Sequence, residues 1–353
     1  MSRQTIQFTK TADNVRLAYG VSGSGPILVK CANWLNHLEY DWESPIWKHM
    51  LEFFSAHFTL IRYDERGCGL SDWDCKNNSF EKWVDDLEQV IETNELDKFP
   101  LLGISQGAAV AIEYALRHPE KVSHLILYGG YLVGRDKRGS NEYKKQQLLL
   151  AMIESGWDDQ NPAFRQVFAS LFVPNGSHEH QQWFAELCRK TATAENAHRI
   201  QTICSGVDVR ERLDELDIPT LVLHAKDDAM VPIEAGKYMA AEIPNAQFVQ
   251  LDSANHLLLS DEPAWEHFCD EVLRFLNVPE QKVESVELTK LELLTAKEKS
   301  ILALLGQGLS NNMIAEKAFL SEKTIRNHLT NIYDKLGVST RSEAIVLTRS
   351  SIL

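Results

Sequence analysis

The 353-residue sequence predicts an α/β protein with a mostly parallel sheet and a helical cap, followed by a separate all-helical domain. Three observations carry this. β-rich runs alternate with helical stretches over residues 1–277, one aromatic helical insert interrupts the alternation, and beyond a short charged segment near residue 280 all periodicity is helical. Length agrees, since one hydrophobic core seldom organises more than about 250–300 residues.

Residues 5–31 read as opening strands, IQFT, VRLAYGV and ILVKCA, the last two separated by the turn Ser22-Gly23-Ser24-Gly25-Pro26. Strand and helix then alternate: FTLIRYD, a helix from Phe80 to Glu95, FPLLGIS, AAVAIEYALRH and VSHLILYGG. Such alternation implies a parallel sheet covered on both faces. Residues 134–205 break it with helical periodicity carrying Trp157, Phe164, Phe168, Phe172, Trp183 and Phe184, the expected cap. The pattern resumes with PTLVLHA, a helix near Ile233 to Glu242, the strand AQFVQLD and a closing helix from Pro263 to Leu276. Residues 278–287, VPEQKVESVE, lack periodicity and read as a linker, which leaves a domain over 288–353.

Composition narrows the function classes. Hydrophobic residues at 44% and charged residues at 24% match globular averages and exclude general disorder. No stretch offers the roughly 20 apolar residues of a membrane span, and the N-terminus has no apolar signal segment, so a cytoplasmic protein without a membrane partner is expected. The six cysteines form no C-x-x-C pair, so reduced thiols are expected, with no metal site and no cofactor. The net charge of −14 argues against nucleic acid only for the chain as a whole. From Leu288 onward 9 Lys+Arg face 6 Asp+Glu, or +3, which leaves 27 against 44, or −17, before it. Only the tail has a balance compatible with DNA, and so small an excess implies a homodimer.

The chemistry-bearing residues fall in the first domain. Gly103-Ile104-Ser105-Gln106-Gly107 follows an apolar strand and precedes a helix. A serine on such a sharp turn needs small neighbours, and the helix N-terminus stabilises negative charge beside it. A plain strand-to-helix turn would show the same pentapeptide, but other residues argue against that. Asp228 follows PTLVLHA and His256 follows AQFVQLD, so nucleophile, acid and base occur in the order Ser, Asp, His. Asp227 competes for the acid, and spacing to Val231-Pro232 favours Asp228.

On these residues the first domain resembles the α/β-hydrolase superfamily over its whole length. The loop Asp64-Glu65-Arg66-Gly67-Cys68-Gly69-Leu70-Ser71 is a further match, with a scaffolding role implied. The resemblance implies a catalytic triad of Ser105, Asp228 and His256, with the backbone N–H groups of Trp34 and Gln106 as oxyanion hole. Two positions depart from the family pattern. Asn33 stands where glycine is usual after the third strand, and Asn255 where glycine often precedes the histidine. The aromatic insert, if it lines a pocket rather than a core, implies an apolar or aromatic ligand.

In the tail, Thr295-Ala296-Lys297-Glu298 is a capping box before Ile301, Leu302, Leu304 and Leu305, with Gly306 and Gly308 ending that helix. Ser310 and Ser321 cap a second and third helix around a turn at Phe319-Leu320, and a short fourth helix follows Ser339. Any small bundle shows such periodicity, but residues 294–346 resemble the LuxR-type helix-turn-helix family throughout. The resemblance implies double-stranded DNA as partner and Glu322 to Leu336 as recognition helix. Arg326, Asn327 and Thr330 would meet base edges, and Lys323, Thr324, Asn311, Asn312 and Lys335 phosphates.

The expected function is a transcription regulator whose hydrolase-like domain senses a small apolar or aromatic ester or lactone, with its hydrolysis left open. The alternative is an active serine esterase or lactonase whose helix-turn-helix serves autoregulation.

Overall fold

The computed structural model describes residues 4–278, 294–306, 309–318, 320–336, 338 and 344, with Asn312 and Glu316 described by backbone alone. The chain divides into two compact units, Met1–Asn277 and Val278–Leu353. The linker beyond Val278, Gly308, Phe319 and, apart from Ala344, the fourth tail helix after Ser339 lie outside the described residues.

The first unit is built on one eight-stranded sheet. In chain order the strands are β1 (Thr5–Lys10), β2 (Arg16–Ser22), β3 (Ile27–Lys30), β4 (Thr59–Tyr63), β5 (Phe99–Ile104), β6 (Val122–Tyr128), β7 (Thr220–Ala225) and β8 (Gln247–Leu251). They lie side by side as β1-β2-β4-β3-β5-β6-β7-β8. β1 pairs antiparallel with β2, and β2 with β4, whereas every pairing from β4 to β8 is parallel. β7 is buried at all six positions and β5 at all but Pro100, so both read as continuous apolar runs. Parallel strands present their carboxyl ends at one edge, and Ser105, Asp228 and His256 follow β5, β7 and β8 there.

Helices α1 (Lys48–His57), α2 (Phe80–Thr93), α3 (Gln106–Arg117), α8 (Ile233–Glu242) and α9 (Pro263–Phe275) accompany the sheet. α2 starts where the Ser79 hydroxyl accepts from Lys82 N–H, and α9 starts on Pro263, whose missing N–H costs nothing at a first turn.

Between β6 and β7 the expected insert forms α4 (Ser140–Gly156), α5 (Ala163–Phe172), α6 (His178–Thr191) and α7 (Ala194–Gly206). Its aromatics are mostly spent on its own packing: Trp157, Phe168, Phe172 and Phe184 are each about 1% exposed. Trp157 meets Phe168 edge-on, and its indole N–H donates to Ala192 O at 2.9 Å. Arg165, also buried, closes the α4–α5 turn by donating to the carbonyls of Trp157, Asp159 and Ala185. Carbonyl acceptors at Nε and Nη1 offset part of the cost of taking this guanidinium out of water.

The second unit contains α10 (Ala296–Gly306), α11 (Asn311–Ala318) and α12 (Glu322–Leu336). The capping box forms, with Glu298 N–H donating to Thr295 Oγ1 at 3.3 Å and Thr295 N–H to Glu298 Oε2 at 2.8 Å. Ser310 and Ser321 accept from Met313 and Thr324 N–H as caps of α11 and α12. Ile301, Leu302, Leu305, Ile314, Ile325, Leu329, Ile332 and Leu336 make the core. Among the described residues no helix is long and apolar enough to cross a membrane, and the six cysteines are unpaired.

Candidate functional site

Ser105 sits between β5 and α3 at φ 53°, ψ −123°, a conformation a β-carbon disfavours and a surrounding fold must impose. The imposing neighbours are visible. Ser105 N–H donates to Tyr128 O at 2.9 Å, and a Cβ at Gly107 would lie 2.5 Å from Ala32 O, so only glycine lets the elbow close on the loop after β3.

The other two predicted residues meet beside it. His256 Nδ1 is 2.7 Å from Asp228 Oδ2, and both side chains are fully buried. Asp228 is held as an acceptor, because its Oδ1 takes the N–H groups of Met230 and Val231, each at 2.8 Å. Asp227 has no part in this contact. The dyad leaves His256 Nε2 as the remaining ring nitrogen, and among the described residues this buried atom has no hydrogen-bond partner. Consecutive residues bridge to the serine: a Cβ on Gly129 would lie 3.1 Å from His256 Cε1, and one on Gly130 3.3 Å from Ser105 O. The cap reaches in as well. Phe172 O accepts from His256 and Leu257 N–H, and its ring meets the imidazole edge-on at 5.2 Å.

His224, on β7, was not anticipated. Its Nε2 lies 2.8 Å from Val231 O and 3.6 Å from Asp228 Oδ2, and burial pushes its pKa below the usual imidazole value. A neutral ring is thereby favoured under the acid loop, which steadies Val231 without adding a competing cation.

The predicted oxyanion hole differs from expectation. Gln106 begins α3, as required, but Trp34 N–H donates to the Gln106 side-chain Oε1 at 2.5 Å. Gln106 Nε2 in turn donates to Glu65 Oε2 at 2.9 Å. The second donor is therefore taken up by the chain itself, a contact invisible in sequence because its partners are 72 residues apart. Glu65 is fully enclosed, and burial pushes its carboxyl up to about 8.

Both departures from the family pattern make hydrogen bonds. The Asn33 carboxamide accepts from Lys30 Nζ and donates to Trp34 O, and the Asn255 carboxamide accepts from Asn175 N–H in the cap and donates to Glu262 Oε1. Asp64 fastens the same loop, accepting from Asn36 Nδ2 at 2.6 Å and from Leu38 and Leu70 N–H. Arg66 is buried against Asp86 and Asp13, so this segment acts as scaffold.

The cavity at Ser105 holds only about 30 Å³, enough for about two waters. Trp34, Tyr131 and Phe172 are its aromatic members, while Arg135, Arg138, Gln146 and Gln201 supply a polar wall. From the insert Phe172 reaches this space while Trp157, Phe168 and Phe184 pack as core, and Arg135 and Arg138 add cations to the lining.

In the second unit Ile325, Leu329, Ile332 and Leu336 face the core, which turns Lys323, Arg326, Asn327 and Thr330 outward on the opposite face of α12. The Arg326 side chain is 65% exposed and pairs with Glu322 at 2.8 Å. Thr330 Oγ1 donates back to Arg326 O, and the Thr324 hydroxyl is engaged with the Ser321 cap. Asn311 opens α11, and the side chain of Asn312 lies outside the described residues. Lys335 is placed differently from the phosphate-binding expectation, for its Nζ is 2.7 Å from Glu298 Oε2 and ties α12 to α10. That lysine, with the Thr295 cap, holds the Glu298 carboxyl down at about 2.

Comparison with known proteins agrees with this division. Residues 48–263 match the model of the family described as serine aminopeptidase, S33, and residues 292–348 that of bacterial regulatory proteins, luxR family. The AB hydrolase superfamily protein YisY of Bacillus subtilis is 28% identical over 257 residues, 70% of this chain and 91% of that protein. The pyrrolizixenacetamide deacetylase of Xenorhabdus hominickii is 24% identical over 254 residues, 71% of this chain and 91% of that protein. Among solved structures, an esterase from Exiguobacterium antarcticum superimposes with a TM-score of 0.64 at 23% identity, covering 77% of this chain and all of the esterase, a likeness of fold. The chain thus belongs to the serine aminopeptidase (S33) family of α/β hydrolases and carries after that domain a helix-turn-helix domain of the bacterial luxR family.

Proposed function

We propose that this protein is a DNA-binding transcription regulator whose hydrolase-fold unit takes up a small acyl compound at Ser105 and is slowly acylated by it. The observation that carries the reading is the buried Asp228–His256 contact of 2.7 Å, kept on a chain that also displays an exposed Arg326-Asn327 face on α12.

In this reading Ser105 Oγ attacks the carbonyl carbon as His256 Nε2 takes its proton. The leaving oxygen or nitrogen departs with that proton, and a water activated by the same imidazole releases the acid. Asp228 holds the ring and stabilises the imidazolium. The backbone N–H of Gln106 meets the developing oxyanion, and Trp34 N–H joins it only after the Gln106 carboxamide swings away. A site that must first open its own oxyanion hole, around a cavity of about 30 Å³, suits a sensor with slow turnover better than a fast esterase. In the second unit Arg326 and Asn327 would read base edges, with a homodimer supplying the other half-site.

Two measurements on the full chain test this. A fluorophosphonate probe is expected to label wild type and leave the Ser105→Ala variant unlabelled. Genomic DNA selection is expected to recover discrete promoter sites with both proteins. An unlabelled wild type removes the acylation step, and failure to select any site removes the regulator.

A further inference from the structure

The Ser105 cavity shares two of its walls, Tyr131 and Arg138, with a wider depression of about 450 Å³ outside it. Among the described residues the cations around this passage lie within 4.0 Å of a carboxylate, with one exception. Arg210 Nη2 lies 2.8 Å from Asp208 Oδ2, and Lys137 Nζ 4.0 Å from the same oxygen. Arg135 donates to Met230 O at 2.8 Å and lies 4.0 Å from Glu142, whose other oxygen is 2.6 Å from Lys145. The Asp136 carboxylate accepts from Ser205 Oγ at 2.6 Å, and Glu234 lines the outer depression.

Arg138 differs. Its Nε donates to Val133 O at 2.6 Å, and its guanidinium lies 4.8 Å from the Tyr131 ring centroid, which fixes its plane. No carboxylate of the described residues lies within 4.0 Å, and neither Nη1 nor Nη2 makes a hydrogen bond to them. Arg138 is half-buried, and this burial lowers the pKa of its side chain. Such a fork, planar and pre-oriented, matches a carboxylate by two parallel hydrogen bonds. Gln146 and Gln201, 1% and 5% exposed, continue the polar wall.

We propose that Arg138, steadied by Tyr131 and assisted by Arg135, is a carboxylate site at the inner end of this passage, so that the acyl compound received at Ser105 is a short one bearing a free carboxylate a few bonds from its reacting carbonyl. One ligand can meet both groups because Ser105 and Arg138 line the same cavity, and Arg138 also lines the wider depression of about 450 Å³ from which such a compound would enter. This rests on the reading of Ser105 as the acylated residue, and the test separates the two.

The full-length Ser105→Ala chain, which cannot turn substrate over, is titrated by calorimetry with the monomethyl esters of malonate, succinate and glutarate and with the corresponding dimethyl esters. At least one monomethyl ester is expected to bind about 10- to 100-fold tighter than its dimethyl counterpart, the range for a hydrogen-bonded charge. Arg138→Gln in that background is expected to erase the preference, and Arg138→Lys to retain part of it. Equal affinity for both ester types, no binding of either up to about 10 mM, or a preference that survives Arg138→Gln overturns the site. Fluorophosphonate labelling of wild type is read separately. A chain that binds monoesters but resists the probe loses acylation and keeps the carboxylate site, and the reverse result does the opposite.

Discussion

The two units of this chain hold their candidate functional residues in opposite ways. In the first, Ser105, Asp228 and His256 are at most 8% exposed, and their orientation comes from backbone groups donated by distant elements. In the second, Lys323, Arg326, Asn327 and Thr330 stand on the outer face of one helix and owe their placement to 3.6-residue periodicity. The contrast follows from the partners. A carbonyl is activated only where water is excluded and dipoles are set in advance, whereas base edges must be reached by side chains that project from the surface. A site of the first kind is sensitive to any residue that touches it, and one of the second kind only to the residues that face outward.

The strongest way to break this comparison is through the triad. Asp228→Asn should lower hydrolysis of an activated ester by about ten-thousand-fold, because the imidazole loses its tautomer, while binding to a selected DNA site stays within twofold or so of wild type. A small loss would mean that the 2.7 Å contact is structural.

Next in size is Arg326→Ala, expected to weaken specific DNA binding by about 10- to 100-fold without altering ester turnover. Lys323→Ala should flatten the salt dependence of binding, and Lys335→Ala, whose charge faces Glu298, should instead lower the melting temperature of the second unit. Equal salt slopes for the two lysine variants would contradict that assignment.

The contrast is sharpened by Gln106→Ala, which frees Trp34 N–H and should speed fluorophosphonate labelling by about tenfold. Slower labelling would show that the carboxamide assists rather than blocks.

The smallest effect concerns pH. Burial raises Glu65 to about 8 from an ordinary value near 4.5, so the folded chain keeps a proton that the unfolded chain has lost. Stability from this group is complete below 4.5 and falls as pH rises through 8. Glu65→Gln should therefore leave the melting temperature at pH 5 unchanged and raise it at pH 8.5 by about 2–4 °C. An equal shift at both pH values would rule out titration as the cause.

Much of the fold could be read in advance because its signals are local. The β5 run ends in a glycine-flanked serine, the Thr295-Glu298 box and the caps Ser310 and Ser321 are spaced by helical geometry, and each formed as its residues require. The acid and base were legible for a related reason, since each follows a recognisable strand and parallel strands end at one edge.

What escaped was long-range. Nothing in residues 134–205 distinguishes an aromatic that packs inward from one that lines a pocket, and the cap turned Trp157 and Phe168 into core while Arg135 and Arg138 came to the cavity. The Trp34–Gln106 contact and the Lys335–Glu298 pair likewise join residues 72 and 37 positions apart. By itself, then, the sequence determined the elements, the caps, the elbow and the outward face of α12, because each depends on hydrogen bonds and periodicities within a few residues. The tertiary structure alone decided whether the oxyanion loop is open, which cations line the cavity and which lysine is already paired, because burial and charge pairing depend on neighbours that only the folded chain brings together.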